Sequence, residues 1–339
     1  MFFKNQRIGK YEIQDTIGSG GFGSVYLAKD IWIGKRVAIK VPHKQGENVE
    51  KLLQEPRMLA ELNHPNIVSV ITAEQINDVF FIVMEYVDGI SLEQYLRQHK
   101  RLALDLALHW FERIIDAIAY AHGKNVLHRD IRPANILISS DNQVKLADLG
   151  TSRFLVSQHF ASTRIGSPPY MAPEHFQGKA TFQSDIYSFG VLMYECLTGR
   201  LPYFDRDPVR LAKIAREGAM VPPHRWNPEV PLELSQLICK AMHRMMGSRF
   251  ADARALQAAL RKVTLHTMKF SETAPQTAPP ATGSQHLSQL VEEQVEPVKL
   301  SRRFKEVTSR ELSDLFCWNC SRPVQRRSNH CPHCNVDLR

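Results

Sequence analysis

The run His128 to Leu137 reads HRDIRPANIL, and its spacing decides how the rest of the chain is interpreted. It carries one carboxylate, Asp130, followed five residues later by the amide side chain of Asn135. Thirteen residues further along, the run ADLG supplies a second carboxylate, Asp148. Oxygen donors of this kind, combined with phosphate groups, suit the octahedral shell that Mg²⁺ prefers. The run therefore points to metal and phosphate chemistry rather than to unrelated polar residues in surface turns.

A glycine-rich stretch near the start of the chain reads IGSGGFGSV (Ile17 to Val25) and matches G-x-G-x-x-G-x-V through Gly18, Gly20, Gly23 and Val25. Glycines let a backbone approach phosphate closely, with its amides pointing inward. A dinucleotide-binding loop would open into a helix. Here SVYLAKD follows, with the alternation of a strand. We predict strand, glycine turn, strand, a local pattern that a plain β-hairpin would share.

A further strand pattern, VAIK (Val37 to Lys40), ends at Lys40, seventeen residues after Gly23. Together with the two motifs above, it makes the chain resemble the protein kinase superfamily. In that family the strand lysine, here Lys40, steadies the α- and β-phosphates of ATP and pairs with a glutamate on a helix. The best match for that glutamate is Glu55, in a helix predicted from about Val49 to Leu62. Because Pro56 follows it, we expect a bent or late-starting helix that still presents Glu55.

The resemblance also implies an adenine site at the end of the strand pattern FFIVMEYVDG. Met84 stands at the gatekeeper position, and the backbones of Glu85 and Val87 are expected to meet the adenine edge. Taken singly, apolar residues in such strands are typical of a protein core, and only the whole set favours a nucleotide site. The residues expected to sandwich the adenine ring are Ile17, Val25, Ala38 and Leu137.

The same resemblance implies a distinct role in phosphoryl transfer for each polar residue of the motifs above. Asp130 would accept the proton of the substrate hydroxyl, and Asn135 with Asp148 would hold Mg²⁺, because the reaction needs alignment and charge neutralisation. Arg132 stands where serine/threonine kinases have a lysine that contacts the γ-phosphate. A planar five-donor fork replaces a compact ammonium there, so we expect retained activity with altered phosphate geometry. The presence of Lys40, Asp130 and Asp148 favours catalysis over the alternative, a catalytically weak or inactive scaffold.

The run GSPPYMAPE (Gly166 to Glu174) resembles the end of a kinase activation segment. Ser167 stands where serine/threonine kinases carry a hydroxyl that touches the catalytic loop, which favours serine and threonine over tyrosine as acceptors. Thr163, eleven residues before Glu174, falls at the position of the family's activating phosphothreonine. A phosphate on Thr163, added by autophosphorylation, could pair with Arg129. The alternative is an unmodified loop threonine.

Two more residues are expected to support the fold rather than to react. The run SDIYSFGVLMYECLTGRLPY places Asp185 where the family has an aspartate that braces the catalytic-loop backbone. Arg249, in GSRFADARAL, is expected to pair with Glu174. The resemblance ends near Val263 and covers about three quarters of the chain.

The last residues contain a second motif, C-x₂-C-x₁₀-C-x₂-C, formed by Cys317, Cys320, Cys331 and Cys334. Two C-x-x-C turns can aim four thiolates at one tetrahedral Zn²⁺. Because so short a segment can bury only a small hydrophobic core, the bound metal would supply much of its folding free energy. Disulfides are the alternative, which the absence of an export signal disfavours. The motif resembles a small zinc ribbon with a structural Zn²⁺, suited to protein docking or substrate recruitment.

These patterns predict an α+β protein: a bilobal kinase fold with a β-rich N-lobe and an α-rich C-lobe, plus a C-terminal Cys₄ zinc ribbon. The predicted catalytic domain is residues 1–263, with the lobes at about 1–87 and 88–263. Residues 264–311 form the predicted linker, since SETAPQTAPPATGSQH lacks aromatic and large aliphatic side chains. Residues 312–339 are the predicted ribbon.

Composition and charge limit which classes of protein, location and partner fit this sequence. Apolar residues make up 43% of the 339 residues and charged residues 23%, as in ordinary globular proteins rather than disordered ones. We find no secretory signal and no apolar run long enough to span a membrane, and therefore predict a cytoplasmic protein. The net charge of +8 could serve acidic partners or be a solvated basic surface. Nucleic acid is disfavoured because the tail offers few aromatic faces for stacking, so protein substrates are the expected partners.

Overall fold

The structure is a computed structural model that describes residues 2–20, 23–43, 53, 56–57, 59–149, 167–272, 315–316, 323–324 and 330. Within these residues, strands dominate up to residue 91 and helices dominate from residue 92 to residue 272. A β-rich lobe is thus followed by an α-rich lobe, which confirms the predicted two-lobed α+β arrangement. Residues 85–88, which lead from one lobe to the other, are called the hinge below.

An antiparallel sheet of six strands forms the N-terminal lobe, in the order β1-β2-β3-β4-β6-β5. The ladder between β2 and β3 runs up to the pair Gly20 and Gly23, which confirms the predicted strand, turn, strand. Gly23 has φ of +148°, and a Cβ there would collide with the Val41 carbonyl oxygen, so only glycine fits. The strands are β1 Arg7–Ile8, β2 Tyr11–Gly20, β3 Gly23–Asp30, β4 Arg36–Pro42, β5 Val70–Ile76 and β6 Val79–Glu85.

Strand β3 shows why apolar residues occur on both faces of this sheet. Tyr26 and Ala28 are buried in a core with Ile13 and Phe81. Val25 and Leu27, on the opposite face, are only half-buried. Alternate side chains of a strand point to opposite faces, so one face packs the lobe's own core while the other, with Val25, faces the cleft between the lobes.

The C-terminal lobe is built around the helices Leu104–Gly123 (α2) and Phe182–Thr198 (α3), whose buried side chains belong to the largest hydrophobic cluster of the described residues. That cluster also contains Leu59, Leu62 and Ile67, which precede the hinge in sequence. The core of the C-terminal lobe therefore extends to the segment that precedes β5, whereas the sheet of the N-terminal lobe packs a separate core. The helices are α1 Leu92–His99, α2 Leu104–Gly123, α3 Phe182–Thr198, α4 Pro208–Glu217, α5 Pro223–Trp226, α6 Leu232–Ala241 and α7 Ala253–Glu272.

A small antiparallel sheet of three strands joins the hinge to residues 128–135. Its order is β7-β8-β9, with β7 at Gly89–Ser91, β8 at Ile136–Ser139 and β9 at Val144–Leu146. A short 3-10 helix, Pro133–Asn135, leads directly into β8. On its other side, Leu146 bridges to Ile67, so β9 is anchored to the segment that precedes β5.

Two predicted boundaries can be compared with the structure. Residues 53, 56, 57, 59 and 60 are helical, in agreement with the helix predicted around Glu55, and Pro56 is buried within it. The predicted end of the catalytic domain at residue 263 falls inside α7, which continues to Glu272. Val263 and Thr264 are buried and Thr267 Oγ1 donates to the Val263 carbonyl, so the helix is continuous across the predicted boundary, and the first proline comes only later.

In the tail, Leu315–Phe316 (β10) and Pro323–Val324 (β11) pair as antiparallel strands. No helix among the described residues is long and apolar enough to cross a membrane.

Candidate active site

Residues 128–135 form a loop in which side chains bind one another and the loop backbone. Asn135 donates from Nδ2 to the Asp130 carbonyl oxygen at 2.8 Å and to its carboxylate Oδ2 at 2.9 Å. His128 accepts the Asp130 N–H on Nδ1 at 3.3 Å, so Nε2 carries the proton that is donated to the Ala147 carbonyl at 3.0 Å. Asp130 is therefore oriented from both sides, and Asn135 Oδ1 is the amide atom left to act as a metal ligand.

The backbone of this loop is held by Asp185, at the start of α3. One carboxylate oxygen accepts the His128 N–H at 2.8 Å, and the other accepts the Arg129 N–H at 2.8 Å. His122, on α2, donates from Nε2 to the first oxygen at 2.9 Å. Burial alone would raise the pKa of Asp185, but these donors hold it below its ordinary value. The expected bracing role of Asp185 is confirmed.

Lys40 meets Asp148 across the cleft between the lobes. Its Nζ lies 2.7 Å from Asp148 Oδ1, and Lys40 is only 5% exposed. Burial would raise the pKa of the Asp148 carboxyl, but the charge and hydrogen bond of Lys40, with help from His128 and Arg132, hold it below the ordinary value. Asp148 is thus an anionic oxygen donor beside a buried cation, which suits a site for a divalent metal and phosphate.

Lys40, Met84 and Asp148 line one cavity in the cleft. Met84 lies opposite Ala38 in the β4–β6 ladder, and Val25 lies opposite Lys40 in the β3–β4 ladder. Leu137 is on β8, on the other lobe, and is half-buried like Val25 and Met84. Val25 and Ala38 therefore lie on the sheet face that carries Lys40 and Met84, and the adenine contacts of the predicted residues stay a prediction. The cavity is also lined by Leu59, Leu62, Ile67, Val68, Val70, Ile82 and Leu149, none of which was predicted as a site residue.

The remaining predicted nucleotide residues lie on β2 and β3 and in the hinge. Ile17 is 47% exposed near the end of β2, and Gly18 pairs with Val25. Glu85 and Val87 belong to the hinge. The N–H of Glu85 donates to the Ser69 carbonyl at 3.0 Å, so the carbonyl is the backbone group of Glu85 that could meet an adenine.

Arg132 contacts Ser167, with its Nη1 donating to the serine Oγ. This is the contact expected between the hydroxyl at position 167 and the catalytic loop. It joins Arg132 to the short helix Pro168–Tyr170, and Tyr170 in turn donates to Glu195 of α3 at 2.6 Å. The segment after residue 167 is thereby tied both to the catalytic loop and to the core of the lobe.

Glu174 and Arg249 form a bidentate ion pair, which confirms the predicted contact. The two Nη–Oε distances are 2.7 and 2.9 Å, and both residues are buried. Ser184 donates to the same carboxylate at 2.7 Å. The remaining guanidinium hydrogens are also used, since Arg249 donates to three backbone carbonyls as well. Every charge is satisfied, so the pair can persist without water.

Several predicted residues lie outside those that the structure describes: Glu55, Thr163, Cys317, Cys320, Cys331 and Cys334. Among the described residues, sequence reasoning missed His122, Lys145, Tyr170 and Glu195. His122 and Tyr170 act through contacts with residues 63 and 25 positions away, respectively. No local pattern marks such a contact, because it depends on how the helices pack.

Taken together, the described residues can do three things in one cleft. Lys40 and Arg132 supply positive charge for phosphate oxygens. Asp148 and Asn135 supply oxygen ligands for a divalent metal. Asp130 supplies an oriented carboxylate next to that metal site, as a proton acceptor would require.

Comparison with known proteins agrees with this geometry. The family described as protein kinase domain matches residues 11–261. The chain is 36% identical over 260 residues to the serine/threonine-protein kinase PrkC of Bacillus subtilis, covering 75% of this chain and 40% of PrkC. It is 36% identical over 255 residues to the probable serine/threonine-protein kinase PknB of Lactococcus lactis, covering 73% of this chain and 41% of PknB. The chain thus spans well under half the length of these relatives. The family match covers about three quarters of the chain, and Lys40, Asp148 and the loop that carries Asp130 lie in one cleft. The chain therefore belongs to the protein kinase family.

Proposed function

We propose that the chain is a protein kinase that depends on ATP and Mg²⁺ and transfers the γ-phosphoryl group to serine or threonine hydroxyls of proteins. One observation carries this proposal: Lys40 and Asp148 meet at 2.7 Å in the same cleft as the Asp130–Asn135 pair. Bound ATP and Mg²⁺ would supply the phosphoryl group and the charge neutralisation that its transfer needs.

Each polar residue of the cleft has a role in this proposal. Asp130 accepts the proton of the acceptor hydroxyl on its carboxylate, which Asn135 Nδ2 keeps oriented. Asn135 Oδ1 and Asp148 would hold the metal. Lys40 would steady the α- and β-phosphates, and Arg132 the γ-phosphate. Glu55 is proposed as a second partner of Lys40 when nucleotide is bound.

The nucleotide base is proposed to enter between the two lobes. Ile17, Val25, Ala38 and Leu137 supply apolar contacts from both sides, and Met84 closes the inner end. The backbones of Glu85 and Val87 meet the adenine edge. The glycines Gly18, Gly20 and Gly23 let the β2–β3 turn approach the phosphates.

The contact between Arg132 and Ser167 supports serine and threonine as acceptors. It joins Arg132, the proposed partner of the γ-phosphate, to the segment after residue 167, where an acceptor peptide would lie. The relatives whose names specify serine/threonine-protein kinase support the same acceptor class.

Transfer of labelled γ-phosphate from ATP to a generic protein substrate, with Mg²⁺ present, tests this function. The wild type should label the substrate on serine or threonine, and Asp148→Ala should not. The competing hypothesis is a catalytically weak or inactive scaffold that acts through its tail. Labelling that is equally low in wild type and Asp148→Ala, in chains that melt cooperatively, would favour the scaffold.

Activation by autophosphorylation on Thr163 is a further part of the proposal. Arg129, directly before Asp130, would offer a charge-assisted partner for the phosphate. Thr163→Ala should lower the activity of enzyme preincubated with ATP, and mass spectrometry should find the phosphate on residue 163. Equal activity of the two proteins after preincubation would contradict this switch.

For the tail we propose a structural Zn²⁺ held by Cys317, Cys320, Cys331 and Cys334, in a ribbon that docks protein partners. The C-x₂-C-x₁₀-C-x₂-C spacing supports this proposal, and the strand pair β10–β11 brackets the first two cysteines in sequence. Metal analysis should find one zinc per chain, lost in Cys317→Ser/Cys320→Ser. A chain without zinc, with thiol titration showing these cysteines oxidised, would favour disulfides instead. The cytoplasmic location stays a prediction.

A further inference from the structure

Lys145 lies in the middle of β9, three residues before Asp148. Its Nζ donates to both carboxylate oxygens of Glu85, at 2.8 and 3.1 Å. Glu85 is the last residue of β6 and the first of the hinge. The ion pair therefore connects the hinge to the strand that leads to the proposed metal ligand.

Further hydrogen bonds complete the surroundings of Glu85. Its Oε1 accepts the Ser69 N–H at 2.9 Å, while its own N–H donates to the Ser69 carbonyl at 3.0 Å. The segment that contains Ser69 is in turn bound to β9, since the Val68 N–H donates to the Leu146 carbonyl at 2.9 Å. Glu85 thus lies where three chain segments meet: the hinge, the segment before β5, and β9.

A second cation contacts the hinge from the other lobe. Arg36, on β4, lies 2.8 Å from the Asp88 carboxylate and 4.9 Å from the ring centre of Tyr86. That pair is open to solvent, with side chains 49% and 58% exposed. The side chains of Lys145 and Glu85 are 22% and 29% exposed, so water screens their attraction less. Of these two contacts, the one from Lys145 should hold the hinge more firmly.

We propose that Lys145 is a positioning residue for the nucleotide. Through Glu85 it holds the hinge at the place where the adenine edge binds. Through β9 it fixes the position of the hinge relative to Asp148. This inference rests on the ATP-dependent function proposed above, because it concerns the same cleft. Since Lys145 acts through the hinge backbone, its loss should weaken binding of the base more than it slows phosphoryl transfer.

Calorimetric titration with two nucleotides in the presence of Mg²⁺ tests this proposal. The nucleotides are ATP and purine riboside triphosphate, which keeps the phosphates but lacks the exocyclic amino group of adenine. In Lys145→Met we expect the Kd for ATP to rise about fivefold, equivalent to roughly 1 kcal/mol. The Kd for purine riboside triphosphate should change less, because that ligand makes fewer hinge contacts.

The partner variant is Glu85→Gln, which removes the charge but keeps an oxygen for the Ser69 N–H. It should weaken ATP binding as much as Lys145→Met does. The double variant should be no weaker than either single variant, because the same contact is lost in all three. Lys145→Arg keeps the cation and should stay close to wild type, and so should Arg36→Met, whose pair is exposed.

Steady-state kinetics supply a second readout. In Lys145→Met the KM for ATP should rise while kcat at saturating ATP stays close to wild type. Wild-type ATP affinity in Lys145→Met, equal weakening of both nucleotides, or additive effects in the double variant would each overturn the proposal. If Lys145→Met does not fold, Glu85→Gln decides the question with the same readouts: unchanged ATP affinity, or equal weakening of both nucleotides, would overturn the proposal. A well-folded wild type that binds no ATP would instead refute the proposed function itself.

Discussion

The carboxylate of Asp185 accepts the backbone N–H of Arg129 at 2.8 Å, and Arg129 has a φ of +69°. A non-glycine residue in this region costs free energy, so it persists only where other contacts hold it. The same carboxylate holds the adjacent N–H of His128. Asp185 therefore stabilises the backbone conformation that places Asp130 in the cleft.

Asp185→Asn should lower both stability and activity. An amide has only one acceptor oxygen, so its NH₂ group would face at least one of the three donors that now bind the carboxylate. We expect a loss of about 2 kcal/mol in the free energy of unfolding, as for a buried donor left unsatisfied. Because Asp130 would shift, kcat should fall about 100-fold. Urea unfolding and kinase assays measure both, with the exposed Asp78→Asn as matched control; equal effects in the two variants would refute the bracing role.

Lys40→Met should abolish most of the activity while the chain still folds. Methionine fills a similar volume, but the cation beside Asp148 is lost. We expect kcat/KM to fall at least about 100-fold, as when one preorganised charge partner is removed from a site. Lys29→Met, at an exposed position of the neighbouring strand β3, is the control and should leave kcat/KM unchanged. Comparable activity in Lys40→Met and wild type would contradict the proposed phosphate contact.

Arg132 offers a direct comparison with the lysine of other serine/threonine kinases. Arg132→Lys keeps the charge and should retain activity within about threefold, although a compact ammonium replaces the fork. Arg132→Met removes the charge, and kcat should fall about 100-fold. Because Arg132 and Ser167 are in contact, the effects of Arg132→Met and Ser167→Ala should be less than additive in the double variant. Strict additivity would show that the contact does not matter for transfer.

The buried pair of Glu174 and Arg249 should contribute strongly to stability. Arg249→Met leaves the Glu174 carboxylate buried without its cation, so we expect a loss of about 3 kcal/mol in the free energy of unfolding. The control is Arg97→Met, which breaks the exposed pair of Arg97 with Glu93 on α1. That loss should be at most about 0.5 kcal/mol. Similar losses in the two variants would mean that the buried pair adds little beyond a surface contact.

The same pair predicts a pH dependence. Burial pushes the pKa of Glu174 up, but the hydrogen bonds and charge of Arg249 pull it below the ordinary value of 4.5. As the pH falls through 4.5, the unfolded chain therefore takes up a proton before the folded chain does, and stability falls. The contribution is complete above pH 4.5 and is lost as the pH drops through the lowered folded pKa. Unfolding measured against pH should show this acid loss in wild type and less of it in Glu174→Gln; parallel curves would contradict it.

Sequence determined the parts of this protein that depend on local spacing. The glycine motif predicted two strands joined by a turn, and β2 and β3 pair in that way up to Gly20 and Gly23. The spacing within HRDIRPAN predicted that Asp130 and Asn135 belong to one site, and Asn135 Nδ2 lies 2.9 Å from Asp130 Oδ2. These features follow from sequence because backbone conformation and neighbouring side chains fix them within a few residues.

Tertiary structure alone decided which distant residues meet. Lys40 and Asp148 are 108 residues apart in sequence, Lys145 and Glu85 are 60 apart, and His122 and Asp185 are 63 apart. Family resemblance placed some of these residues in the cleft but did not predict the hinge contact of Lys145 or the hydrogen bond of His122. Such pairs form because strands and helices that are far apart in sequence pack against one another in the folded chain, and no local pattern encodes that packing. The sequence thus specified the chemical groups, and the packing of the lobes specified which of them act on one another.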